Sequence, residues 1–262
     1  KLILVQRRQQ RNRRKTRLCR AFLCICFLLS VMIRKMDSIL RFDVLSLFPK
    51  TLEGFTGESI IARAIESGII EVNSLDIRRW AEGKHRETDD RPFGGGSGMV
   101  MKPEPLFSAI EDIAEDHTNI VYMAPDGEPL TSSLCKELSQ EKHLLLLSGH
   151  YEGVDQRVRD HLVTREVSVG DYVITNGALA ASVLIDAVSR HIPNVLGDEG
   201  SLEDESFEAH LLAYPQYTRP SEFRGMKVPE VLLSGDHSQI RAWRESMRLE
   251  KTKRLRPDLL KN

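Results

Sequence analysis

The sequence predicts an α/β fold built on a mainly parallel sheet, followed by a small, mostly helical C-terminal domain. Two observations carry the first part. Short apolar runs of strand length alternate along the chain with segments of helical spacing. Most of those runs end in glycine, proline or asparagine turn signals. A third observation sets the second part apart: after the acidic stretch Gly197 to Glu208, regularly spaced Leu and Arg residues surround Trp243.

The elements follow in order. Arg41 to Phe48 alternates in part and stops at Pro49, which reads as a strand. Ser59 to Ser67 has helical spacing at Ile60, Ile61, Ala64 and Ile65, with Gly68 as its stop. Ile70 to Ile77 is a second strand, and Gly83 to Pro105 a long polar loop with the cluster Gly94-Gly95-Gly96-Ser97-Gly98. Phe107 to Glu115 reads as helix. Asn119 to Met123 reads as a strand entering an Ala-Pro-Asp-Gly turn. Leu134 to Gln140 is helical, and His143 to Ser148 is a buried strand closed by Gly149. Asp171 to Thr175 is assigned as a further strand, and Leu179 to Arg190 as a helix ending before Pro193. In parallel sheets ligands sit beyond the strand carboxyl ends, which selects three loops: 122–127, 148–153 and 169–177.

The 262 residues, 41% hydrophobic and 29% charged, suit a globular protein. The net charge of -1 hides an uneven distribution. Residues 1–35 are strongly basic and carry no acid, so the body is acidic, which argues against indiscriminate nucleic-acid binding. Charge reverses locally after Ser238, where Arg241, Arg244, Arg248, Lys251, Lys253, Arg254, Arg256 and Lys261 cluster. Such a patch can hold phosphates, and so can a merely solvated helix end arise from it. Only Cys135 lies beyond residue 35, which leaves the body no disulfide and no cysteine metal cluster and suits a reducing cytoplasm. In residues 1–35 a basic run precedes the apolar run Ala21 to Ile33, too short for a membrane helix of about 20 residues. No small-x-small cleavage site follows, and Met36 reads as a new start. Residues 1–35 are therefore expected to be an upstream extension outside the fold, with no membrane partner.

Individually, the polar motifs are ambiguous. The glycine cluster matches neither a P-loop nor a dinucleotide fingerprint. Ser148 to Asp155 and Val169 to Gly177 place glycines and polar groups at strand ends, as a nucleoside site requires and as ordinary turns also do. Arg190, with Asp204 or Glu205, suits chemistry in which a base takes a ring proton and a guanidinium stabilises a developing oxyanion. Helix-end placement and simple solvation account for the same residues.

Together they say more. KHRETDDRPFGGGSGMVM, LLSGHYEGVDQRV, SVGDYVITNGALA, DAVSRHIPNVLGDE, YPQYTRP and VPEVLLSGDHSQIRAWR occur in one order over nearly all of the chain from Met36 onward. That order resembles the bacterial tRNA (guanine-N1)-methyltransferases of the SPOUT superfamily. The resemblance implies a methyltransferase domain over 36–196 tied in a deep trefoil knot, a linker over 197–208 and a tRNA-binding helical domain over 209–262. It implies a homodimer, S-adenosylmethionine as donor, tRNA as substrate and a magnesium requirement. The cofactor is implied to contact Tyr122, Met123, Ala124, Pro125, Gly149, Glu152, Val169, Gly170, Asp171, Tyr172, Val173, Ile174, Gly177 and Leu179. Arg190 takes the place of the arginine that stabilises the guanine oxygen. Counted without gaps, the family's catalytic aspartate falls on Glu205, with Asp204 just before it, so either carboxylate is a candidate base. His150 stands where arginine is common, and Asn176 where glycine is common.

Overall fold

The computed structural model describes residues 40–197 and 205–260. The upstream extension and Asp204 lie outside the described residues, as does most of the predicted linker. The chain divides into two compact units, one ending at Val195 and the other beginning at Leu196.

In the first unit, β1 (Leu40–Ser46) leads through a helical turn into α1 (Glu53–Thr56), α2 (Ser59–Glu66) and β2 (Ile70–Asp76). The segment expected to be a plain loop contains a small hairpin, β3 (Asp89–Asp90) with β4 (Val100–Met101). Helix α3 (Pro103–Ile113) begins earlier than its apolar spacing suggested, because Pro103 occupies a first-turn position where its missing N–H costs nothing. Then come β5 (Thr118–Pro129), α4 (Ser132–Leu138), β6 (His143–Ser148), α5 (Gln156–His161), β7 (Arg165–Ser168) and α6 (Gly177–Ser189). The sheet order is β2-β1-β6-β5-β7, with every pairing parallel.

Successive residues of a strand face opposite sides, and the core shows this directly. Leu144 and Leu146 join Phe42, Val44 and Val121 against Ile61, Leu138 and Leu184, on the side of α2, α4 and α6. Leu145 and Leu147 join Leu45 and Tyr122 against Leu106, Ile110 and Val158, on the side of α3 and α5. A parallel sheet covered on both faces explains why HLLLLS is one continuous apolar run.

Two expectations are corrected. Asp171 to Thr175 is not a strand. The edge strand is β7, whose Arg165 and Glu166 are committed to ion pairs with Glu128, Glu137 and Arg159 and so hide the apolar signal. The apolar residues of DYVIT stand outside the sheet, and Val173 is 82% exposed. Likewise Ala-Pro-Asp-Gly does not reverse the chain. The β5–β7 register shifts between Met123 and Glu128, so these four residues bulge from the ladder and the strand resumes. Pro125 cannot donate to a ladder, which favours that detour.

The second unit holds the hairpin β8 (Glu222–Phe223) with β9 (Met226–Lys227), α7 (Glu230–Leu233) and the long α8 (His237–Leu255). Asp236 caps α8 by accepting from the Ser238 and Gln239 amides. Part of the basic cluster is structural. Arg248 is buried, Arg244 lies 4.7 Å from the Tyr214 ring centroid, and Lys251 donates to the Ala213 carbonyl at 3.1 Å. Arg241, Lys253 and Arg254 remain exposed. No helix of the described residues is long and apolar enough to cross a membrane.

Candidate active site

A cleft of about 340 Å³ opens at the carboxyl ends of β5, β6 and β7. This is within the usual range of roughly 300–1,000 Å³ for small-molecule sites. Its position follows from topology: β6 and β7 flank β5 on either side, so their exit loops diverge and leave a gap above Tyr122.

The β5 bulge supplies Tyr122, Met123, Ala124, Pro125 and Asp126. Tyr122 is 3% exposed and forms the floor. Burial pushes its hydroxyl above the ordinary tyrosine value, against the opposing pull of the Arg159 cation and a hydrogen bond to the Val154 backbone. Arg159, from α5, lies 5.4 Å from the Tyr122 ring centroid. Its guanidinium donates to both carboxylate oxygens of Glu166 and, at 2.8 Å, to Asp126. The hydrogen bond from Arg159 holds the Asp126 carboxyl below the usual carboxylate range. The cleft therefore carries a fixed negative charge on the bulge.

The loop after β6 supplies Gly149, His150, Tyr151, Glu152 and Gly153. It is docked onto the glycine-rich segment: Glu152 N–H donates to the Met99 carbonyl, and Met101 N–H to the Gly153 carbonyl, both at 3.0 Å. A side chain on Gly98 would overlap the Glu152 side chain. The ring of His150 packs between Phe48 and Tyr151. The third wall, after β7, supplies Val169, Tyr172, Val173, Ile174, Thr175 and Gly177. Asn176 caps α6 through its Oδ1, which accepts from the Ala178 amide at 2.9 Å.

Of the fourteen residues that the resemblance implied for the cofactor, eleven line this cleft. Gly170, Asp171 and Leu179 do not, and Leu179 is exposed on α6. Arg159 and Asp126 line it without having been singled out. Asp126 lay within a selected loop, whereas Arg159 follows on a helix that the sequence reading did not identify. Arg190 is the C-terminal cap of α6, away from the cleft residues, and Glu205 belongs to the second unit. Among the described residues no group of three His, Cys, Asp or Glu side chains is placed to hold a metal ion.

The donor set fits S-adenosylmethionine. Asp126 and Glu152 offer carboxylates to a cationic ligand, the glycines leave backbone edges open, and Met123, Val169 and Ile174 offer apolar contact. A family model described as tRNA (Guanine-1)-methyltransferase TrmD matches residues 40–262. Named relatives agree. A protein of Moorella thermoacetica called tRNA (guanine-N(1)-)-methyltransferase is 55% identical over 225 residues, covering 84% of this chain and 90% of its own. Proteins of the same name from Staphylococcus epidermidis and Geobacillus kaustophilus are 51% and 48% identical, each match covering 84% of this chain and 91% of theirs. The chain belongs to the tRNA (guanine-N1)-methyltransferase family.

Proposed function

We propose that the chain transfers a methyl group from S-adenosylmethionine to N1 of the guanosine immediately 3′ of the anticodon in tRNA. The observation that carries this reading is the cleft, where three strand-end loops gather glycines, apolar side chains and two carboxylates around one small-molecule volume. When bound, the cofactor supplies an electrophilic sulfonium methyl. The chain's own residues position the acceptor, take a proton and balance charge. A linker carboxylate, Glu205 or Asp204, takes the N1 proton. Arg190 neutralises the charge that then develops on the guanine oxygen.

Arg190 also bears on assembly. Ala180 lines the cleft, and α6 rises roughly 15 Å from position 180 to position 190 at 1.5 Å per residue. An arginine side chain does not span that distance. A homodimer that brings the arginine of one protomer to the cleft of its partner resolves the gap, so each active site belongs to both. The exposed apolar residues Leu179 and Val183, one turn apart on α6, suit such an interface. Two further features belong to this reading. The chain from β7 to α6 passes back against the β6 loop, as a trefoil knot requires, and Arg241, Lys253 and Arg254 of the C-terminal helical domain take tRNA phosphates. A tRNA substrate places the enzyme in the cytoplasm. The magnesium dependence implied by the resemblance has no protein-built cage among the described residues, and no step is routed through a metal.

Mass spectrometry of tRNA nucleosides after incubation with labelled cofactor tests the reaction. The expected product is labelled 1-methylguanosine; its absence with a competent tRNA overturns the proposal. Arg190→Ala should abolish transfer while cofactor binding persists. Whichever of Asp204→Asn and Glu205→Gln removes turnover identifies the base. Full activity in both removes the linker from the mechanism.

A further inference from the structure

Phe93 is 101% exposed, more than any other large apolar side chain described. Among the described residues it makes no ring or cation contact and belongs to neither core cluster. A phenylalanine in full contact with water contributes nothing to folding through burial, and its ring face is free to meet a ligand. Its surroundings suggest one. It sits in the loop of the β3–β4 hairpin, whose base is tied to the loop after β6 by Met99 and Met101 against Glu152 and Gly153. Gly98 is five positions further along the chain, so Phe93 lies within about 17 Å of it. The intervening Gly94, Gly95 and Gly96 have positive φ and open space where side chains would stand. Exposed Arg91, two residues away, makes no ion pair among the described residues.

A solvated aromatic ring on a compact glycine arm, with a neighbouring guanidinium and a short chain reach from the loop that lines the cleft, has the makings of a base-stacking platform. We propose that Phe93 stacks on an unpaired base of the RNA substrate beside the target guanosine, with Arg91 on an adjacent phosphate. This rests on the reading of the substrate as tRNA. Phe93 is thus a positioning residue, which holds the substrate strand while other groups carry the chemistry.

The test uses the full chain with an unmodified tRNA transcript, comparing wild type with Phe93→Ala, Phe93→Leu and Phe93→Tyr. RNA affinity is read by fluorescence anisotropy and cofactor affinity by calorimetry. Loss of one stacked base should weaken RNA binding roughly 5- to 150-fold in Phe93→Ala. Tyrosine should restore it and leucine should not, because stacking needs a ring face. Cofactor affinity and oligomeric state should be unchanged in all three. Wild-type RNA affinity in Phe93→Ala, rescue by leucine as good as by tyrosine, or dissociation of the assembly would overturn the proposal. If wild type itself neither binds nor methylates tRNA, the underlying reading fails first and the Phe93 proposal with it. That outcome is distinct from normal methylation in a Phe93 variant.

Discussion

Gly177 and Gly149 meet backbone to backbone: the Gly177 amide donates to the Gly149 carbonyl at 3.1 Å, and a Cβ on Gly177 would lie 2.8 Å from the Gly149 nitrogen. The first turn of α6 is thereby pressed against the loop leaving β6, and the two walls of the cleft are fixed to each other at this point.

Gly177→Ala should therefore move both walls. The obstructing atoms are backbone, which cannot rotate aside, so overpacking of about 1–3 kcal/mol is expected. Urea unfolding should show the loss of stability, and calorimetry a weakened affinity for S-adenosylmethionine. Wild-type values in both would mean that the contact does not shape the cleft.

Arg159 links three parts of the cleft through Tyr122, Asp126 and Glu166. Replacing it by leucine keeps much of the packing volume but releases the Asp126 carboxylate and leaves Glu166 partly buried without its cation. Cofactor affinity should fall on the order of tenfold, ~1.4 kcal/mol. Arg159→Lys should rescue only in part, because an ammonium cannot reproduce the planar fork. Calorimetric titration decides this, and unchanged affinity in Arg159→Leu would reduce the network to a surface ornament.

How far the sequence foretold these arrangements depends on which signal each element carried. HLLLLS announces a strand buried on two faces because nothing polar interrupts it. Glycine and proline punctuation likewise marked the three loops that line the cleft. REVS escaped because half its residues are spent on ion pairs at a sheet edge, while the exposed apolar residues of DYVIT imitated a strand. The short α5 escaped for the same reason: Gln156–His161 buries only Val158, too little for a visible period, and Arg159 went with it. Contacts such as Gly98 against Glu152 join residues far apart in the chain, and no local pattern encodes them.

At the opposite end of the strands, Asp43 is fully buried. His143 Nε2 donates to it at 2.9 Å, Asn73 donates at 2.9 Å, and Arg41 donates as well. Burial by itself would raise this carboxyl, but the hydrogen bonds from His143, Arg41 and Asn73 and the Arg41 charge outweigh it and hold the group below its ordinary value. A carboxyl that is lowered in the folded state stabilises above its unfolded value of about 3.9. That stability is lost as pH falls through the folded value. Denaturation midpoints should therefore drop below about pH 4, and Asp43→Ala should remove this component of the acid slope. At neutral pH the same variant should lose roughly 3–5 kcal/mol, the usual consequence of leaving one partner of a buried pair behind. An acid slope unchanged in Asp43→Ala would assign it to other carboxylates.

The proposed composite site makes a prediction that neither subunit alone could satisfy. Arg190→Ala should be inactive with its cleft intact. Thr175→Trp should be inactive for the opposite reason, since Thr175 is exposed and lines the cleft, so a bulky ring fills the site without disturbing the core. If the arginine serves the partner's cleft, a mixed dimer of the two variants contains one complete site: the open cleft of the Arg190→Ala protomer met by the intact arginine of the other. Random reassociation gives mixed dimers half the time, each with one of two sites working, so activity should return to about a quarter of wild type. If each protomer instead used its own arginine, the mixture would remain as dead as its components. Val183→Glu supplies the control, because a carboxylate on the exposed apolar face of α6 should prevent pairing and abolish the recovery. Sedimentation of that variant should show monomers. Recovery of activity in a mixture that carries Val183→Glu on both chains would remove this face from the interface.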